Sequence, residues 1–199
     1  MTILAACGGS KSSPDAAIDA ATSVTVKLAG SPQGYTAGDA FAFDKPGIVF
    51  GLGANTLLVQ GTKVEDMFGG RLGTTEPGDV LFVDSRPAGT AFTVTVQLPA
   101  PVAIKRFSVW LNEDTPPIAR SCRELKLSAD GNLVEDVSIL DSSGTQTYDS
   151  KYGSSGIEID VDLVGAPASA KYTLDFIQNA PANPSNSGPR VGEFDAFTD

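Results

Sequence analysis

The sequence predicts an all-β domain built as an antiparallel sandwich or barrel. Short runs rich in β-branched and aromatic residues recur from Val24 to the C-terminus, most of them bounded by Gly, Pro, Asn, Asp or Ser. Apolar and polar residues alternate inside several runs. In one, Phe92, Val94, Val96 and Leu98 share a face, and Thr93, Thr95 and Gln97 share the other. Glycine and proline supply 21 and 13 of the 199 residues, punctuation that suits many short elements. A hydrophobic content of 41% is enough to fill one core.

The elements follow in order. Residues 1–23 form a leader remnant and tether: Gly8 to Ser23 is rich in Gly, Ser, Ala and Asp, with Ile18 its one bulky apolar residue. Strands are expected at 24–28, within 40–53 around a turn at Asp44–Gly47, and at 55–60, 79–85 and 91–98. Further strands are expected at 104–112, 122–128, 134–140, 157–163, 171–178 and 191–197. Residues 64–70 have room for one helical turn. No internal repeat and no long heptad occurs.

Composition narrows the work the domain can do. A net charge of −10 and a pI near 4.4 oppose nucleic-acid binding, which needs a basic face, and adsorption to anionic lipid. The chain has no histidine, which removes a Ser-His-Asp triad, a Cys-His pair and every His-ligated metal site. No apolar run is long enough to span a membrane as a helix.

The stretch Leu4-Ala5-Ala6-Cys7-Gly8 resembles the lipobox of bacterial lipoproteins. That resemblance implies diacylation of the Cys7 sulfur, removal of the preceding peptide and anchoring by lipid, with the outer membrane or cell surface as the compartment. Two acyl chains suffice for stable anchoring. Six residues precede Cys7, fewer than a signal peptide needs, so an upstream extension is expected.

Residues 92–111 (FTVTVQLPAPVAIKRFSVWL) resemble the strand–turn–strand of discoidin, or coagulation-factor type C, domains. Residues 122–137 resemble the next strand and its turn, with Ser128, Asp130 and Gly131 in place. Residues 169–180 and 190–197 resemble the last two strands, with Glu193 at the first glutamate of the closing one. The resemblance implies a galactose-binding-like jelly-roll β-sandwich over residues 55–199, with residues 24–54 as extra N-terminal strands. Three positions depart from that pattern. Leu133 stands near a tryptophan position, Lys171 stands for an arginine, and the terminal cysteine pair is absent. The family often holds a structural calcium in a loop matching residues 67–74. Here Gly69 and Arg71 occupy its acidic positions, while Thr74 and Glu193 remain. Calcium needs several anionic or carbonyl oxygens. No metal and no cofactor is therefore expected, and Arg71 is expected to pair with Glu193.

Other residues have a plain reading beside a functional one. Cys122 reads as a small buried hydrophobe rather than a nucleophile, since no base is available. Glu158, Asp160 and Asp162 share a strand face and read as a solvated surface balanced by a cation on the next strand, rather than a calcium site. Trp110 opposes Phe107, Val109 and Leu111 and reads as a covered outer face rather than a sugar platform.

The better site candidates are two polar loops. Residues 141–156 hold Tyr148 and Tyr152, flat rings with a hydroxyl tip and little rotamer freedom to lose. Residues 179–190 add Asn183, Asn186 and Arg190, whose amides and guanidinium match sugar hydroxyls. Binding residues concentrate on such loops. The reading is a non-catalytic, carbohydrate-binding surface lipoprotein that meets membrane only through Cys7. Its partner is an extracellular glycan. The alternative is a protein-interaction or assembly module whose partner is an envelope protein.

Overall fold

A computed structural model describes residues 21–28, 37–54, 56–59, 61–69, 80–82, 86–111, 122–139, 157–178 and 188–199. Among them are ten strands: β1 (Ala21–Leu28), β2 (Val49–Leu52), β3 (Val80–Leu81), β4 (Ala91–Val102), β5 (Arg106–Leu111), β6 (Glu124–Ala129), β7 (Asn132–Ser138), β8 (Ile157–Leu163), β9 (Ser169–Ile177) and β10 (Arg190–Phe197). They form two five-stranded sheets. The first has the order β1-β8-β5-β10-β3 and the second β2-β4-β9-β6-β7. Every pairing is antiparallel. The two earliest strands each take an edge, β1 on the first sheet and β2 on the second.

Period-two patterning builds the core. Phe107, Val109 and Leu111 of β5, Ile159 and Val161 of β8, and Phe194 of β10 face inward from the first sheet. Phe92, Val94 and Val96 of β4, Leu125 and Leu127 of β6, and Tyr172, Leu174 and Phe176 of β9 meet them from the second. Aromatic rings fill two places. Phe41 lies among Phe68, Tyr172 and Phe194, and Phe82 lies between Phe92 and Phe176. Burying each such ring is worth roughly 1.5–3 kcal/mol relative to leaving it in water.

Two backbone details fix the second sheet. Asp130 (φ 49°) and Gly131 (φ 81°) both have positive φ, which makes the two-residue β6–β7 link a type I′ turn, matched to strand twist. At Gly51 a Cβ would meet Thr95 Oγ1 at 2.8 Å, so β2 lies against β4 only because that position has no side chain.

The structure corrects two strand expectations, at 40–43 and at 55–60. Residues 40–43 form no strand. Asp39 Oδ1 accepts the N–H groups of Phe41 and Ala196, so a side chain takes donors that a strand ladder would use. Consecutive Phe41 and Ala42 are both buried, which breaks the period of two. Among the described residues of 55–60, only Leu58 pairs, through an isolated bridge to Phe82. In 79–85, the strand spans Val80–Leu81, and 83–85 lie outside the described residues. The helical turn expected within 64–70 is a single 3-10 turn at Val64–Met67.

Candidate functional site

Both candidate loops leave from one rim of the sandwich. Leu111, the last residue of β5, pairs with Ile157 at the start of β8 and with Val191 near the start of β10. Glu124, the first of β6, pairs with Ser138 at the end of β7 and with Ile177 at the end of β9. The links 112–121, 140–156 and 178–189 therefore all start and end on this rim. Tyr148, Tyr152, Asn183 and Asn186 lie outside the described residues. Arg190 is described. The sequence places it last in a loop, whereas it is the first residue of β10, half-buried and opposite Leu81. The rim is pinned by backbone bonds. Gln178 N–H donates to Thr90 at 2.7 Å, Gly89 N–H donates to Gln178 at 2.9 Å, and Arg123 N–H donates to Ile177 at 2.9 Å.

The chain enters from the opposite end. Ala21, the first residue of β1, pairs with Leu163 at the end of β8. Leu163 N–H donates to Lys105, and Lys105 N–H donates to Phe197 at the end of β10. Cys7 lies outside the described residues.

Two antiparallel sheets with this strand content are the deciding observation. The fold is the galactose-binding-like β-sandwich of CBM32 modules. The chain is similar to CBM32-3 from a family 31 glycoside hydrolase of Clostridium perfringens, with a TM-score of 0.54 and 11% identity over 83% of this chain and 99% of that one. It is also similar to GH31 CBM32-2 bound to GalNAc, with a TM-score of 0.51 and 11% identity over 76% and 97%. At the level of sequence, no family model and no curated protein matches the chain.

Within this galactose-binding-like sandwich, the outer face of the first sheet is acidic. Glu158, Asp160 and Asp162 of β8 stand there with Glu193 and Asp195 of β10, in register through Trp110, Ser108 and Arg106 of β5. The β8 carboxylates are held by hydroxyls: Ser108 donates to Asp160, and Ser23 donates to Asp162 at 2.6 Å. On β1, Lys27 occupies the register position opposite Glu158. The β8 acids, part-buried at Glu158 and Asp160 and exposed at Asp162, fit the solvated-face reading, whereas Glu193 and Asp195 on the same face are buried. Trp110 is half-buried between Glu158 and Glu193 in register, and Arg106 stacks 4.0 Å over the Phe197 ring.

Glu193 differs from the β8 acids. It is 1% exposed, and among the described residues neither oxygen has a partner within full hydrogen-bond geometry, the Gly69 N–H being the nearest influence. Burial pushes its pKa up to about 9, with help from Asp195 and Asp39. The Gly69 backbone N–H draws it the other way. Burial also pushes Asp39 up to about 7, against its two backbone donors. Arg71, the expected partner of Glu193, and Thr74 lie outside the described residues. The described residues do not assemble a calcium shell. No three acidic or cysteine side chains among them are placed to share an ion, and the group Gly69 turns toward Glu193 is an N–H, which an ion repels. Burial thus favours the protonated form of Glu193.

Sequence reasoning missed Asp39. Its signal is modest: an aspartate two residues before a buried phenylalanine, where an Asx-type bond turns the chain. Cys122 is fully buried, and burial raises its thiol to about 12, far from a nucleophile's range.

Proposed function

We propose that the chain is a non-catalytic glycan-binding module, held at a bacterial outer membrane or cell surface by lipid on Cys7. The observation that carries this reading is the rim. Two polar loops leave one end of a sandwich that shares its fold with CBM32 modules, one of them bound to GalNAc. Tyr148 and Tyr152 offer ring faces to the C–H face of a sugar, and Asn183, Asn186 and Arg190 offer donors and acceptors to its hydroxyls. Shallow loop sites bind weakly, and display of many copies on one surface recovers avidity. β1 begins at the end of the sandwich opposite the strand ends that carry the two loops. Residues 24–54 complete an edge of each sheet and belong with 55–199 in one β-sandwich domain; the leader remnant and tether expected over 1–23 gives way at Ala21, because Ala21 and Ser23 already pair with β8 as part of β1.

Glycan-array screening of the chain tests the reading. A saturable signal on a defined sugar supports it, and silence across the array refutes it.

A second reading, a protein-interaction or assembly module, draws on one observation. The edge strand β2 leaves Val49 61% and Leu52 40% exposed, and Phe43 and Leu57 are exposed as well. Retention of an envelope protein by a chain that binds no glycan favours it.

A further inference from the structure

A cavity of about 400 Å³ opens at the end of the sandwich opposite the loop rim, between the 38–48 segment, β4 and the C-terminus. A bulge creates it. β4 runs from Gln97 to Val102 while its partner β9 advances only from Lys171 to Ser169, so Leu98 to Pro101 stand off the sheet. Pro99 and Pro101 have no N–H to leave unpaired there. The Tyr172 hydroxyl donates to the Val102 carbonyl and fixes the strand's return. Pro46, Ile48 and the exposed Thr198 also line it.

The lining is apolar apart from the Thr198 hydroxyl and the Lys45 ammonium. Lys45 forms no ion pair with any described residue and is exposed. No aromatic ring lines the cavity, and it offers few hydrogen-bonding side chains, so a sugar finds neither stacking face nor partners. Apolar volume of this size with one convergent polar group has the make-up of a small-molecule site. We infer that this pocket binds a small amphiphile with an apolar chain and one carboxylate, of the medium-chain fatty acid class. Ile48, Leu98 and Val102 surround the chain, and Lys45 meets the carboxylate by a charge-assisted bond.

Calorimetric titration of the full chain with decanoate tests this, with decanol as the neutral comparator. Decanoate binds saturably and one-to-one. Lys45→Ala weakens binding about tenfold, as loss of one charge-assisted bond implies, and decanol binds weaker than decanoate by about the same factor. Ala100→Trp, at an exposed lining position, fills the pocket and removes binding. Circular dichroism checks that each variant is folded. If Ala100→Trp does not fold, Lys45→Ala decides alone. Absence of saturable binding, or binding untouched by Lys45→Ala, overturns the inference. Equal affinity for decanol overturns the ligand class.

Discussion

Asp39 Oδ1 accepts the backbone N–H of Ala196 at 2.8 Å, and Ala40 N–H donates to the Ala196 carbonyl at 2.6 Å. One side chain and one backbone group thus dock residues 39–43 along the outer edge of β10. This contact carries Phe41 into the core, where its ring meets Phe68, Tyr172 and Phe194. Removing the carboxyl leaves two buried donors without an acceptor. Asp39→Ala is expected to cost about 1–3 kcal/mol for each, read by urea denaturation. Asp39→Asn keeps an acceptor oxygen and sheds repulsion from Asp195, and is expected to stay within about 1 kcal/mol of the parent. Equal losses for both variants contradict the assigned role.

Glu193 and Asp39 set a pH dependence. Both pKa values lie higher in the folded protein than the ordinary carboxylate values they take when unfolded, at about 9 and about 7. Between the two sets of values the folded state holds more protons, so stability falls as pH rises through that window. Glu193→Gln removes the larger part of this cost. Its melting temperature is expected to exceed the parent's, by a margin that widens from acid to mildly alkaline pH. A constant margin contradicts a protonated Glu193. So does a parent melting temperature that climbs with added calcium and drops with chelator.

The approach of β2 to β4 depends on Gly51, where a Cβ would meet Thr95 Oγ1 at 2.8 Å. Gly51→Ala is expected to cost about 1–3 kcal/mol by overpacking. Combining it with Thr95→Ser leaves that oxygen in place and restores little, whereas Thr95→Ala opens the space and restores most of the loss. The double-variant melting temperatures check the order.

The core runs were legible because side-chain alternation is written directly in them. Residues 91–98 and 158–163 carry their burial pattern in plain order. The DG turn was legible because Asp130 and Gly131 are the residues that tolerate positive φ. What escaped was non-local. The end of β4 bulges around Pro99 and Pro101, which no alternation predicts. Asp39 finds its second donor on Ala196, 157 residues away. Glu193 reads as one member of an alternating strand, yet burial by neighbours distant in sequence gives it a different charge state. The loops were legible as polar connections, and only strand register shows that both leave one rim.

The lipid anchor has a direct check. Expressed behind a bacterial lipoprotein signal peptide that ends at Cys7, the protein is expected in the membrane fraction, labelled by a fatty-acid probe, and Cys7→Ser is expected to release it. A variant that stays bound contradicts the lipobox reading.

The central claim is that the rim loops bind glycan on a rigid sandwich. Its most direct test is the affinity of Tyr148→Ala and Tyr152→Ala for the best array sugar, measured beside their melting temperatures. The account predicts weaker sugar binding in both, by about 1–3 kcal/mol if the rings anchor the ligand as buried aromatic contacts do, with the melting temperature nearly unchanged. Undiminished binding, or melting that collapses because the rings are core, would contradict it.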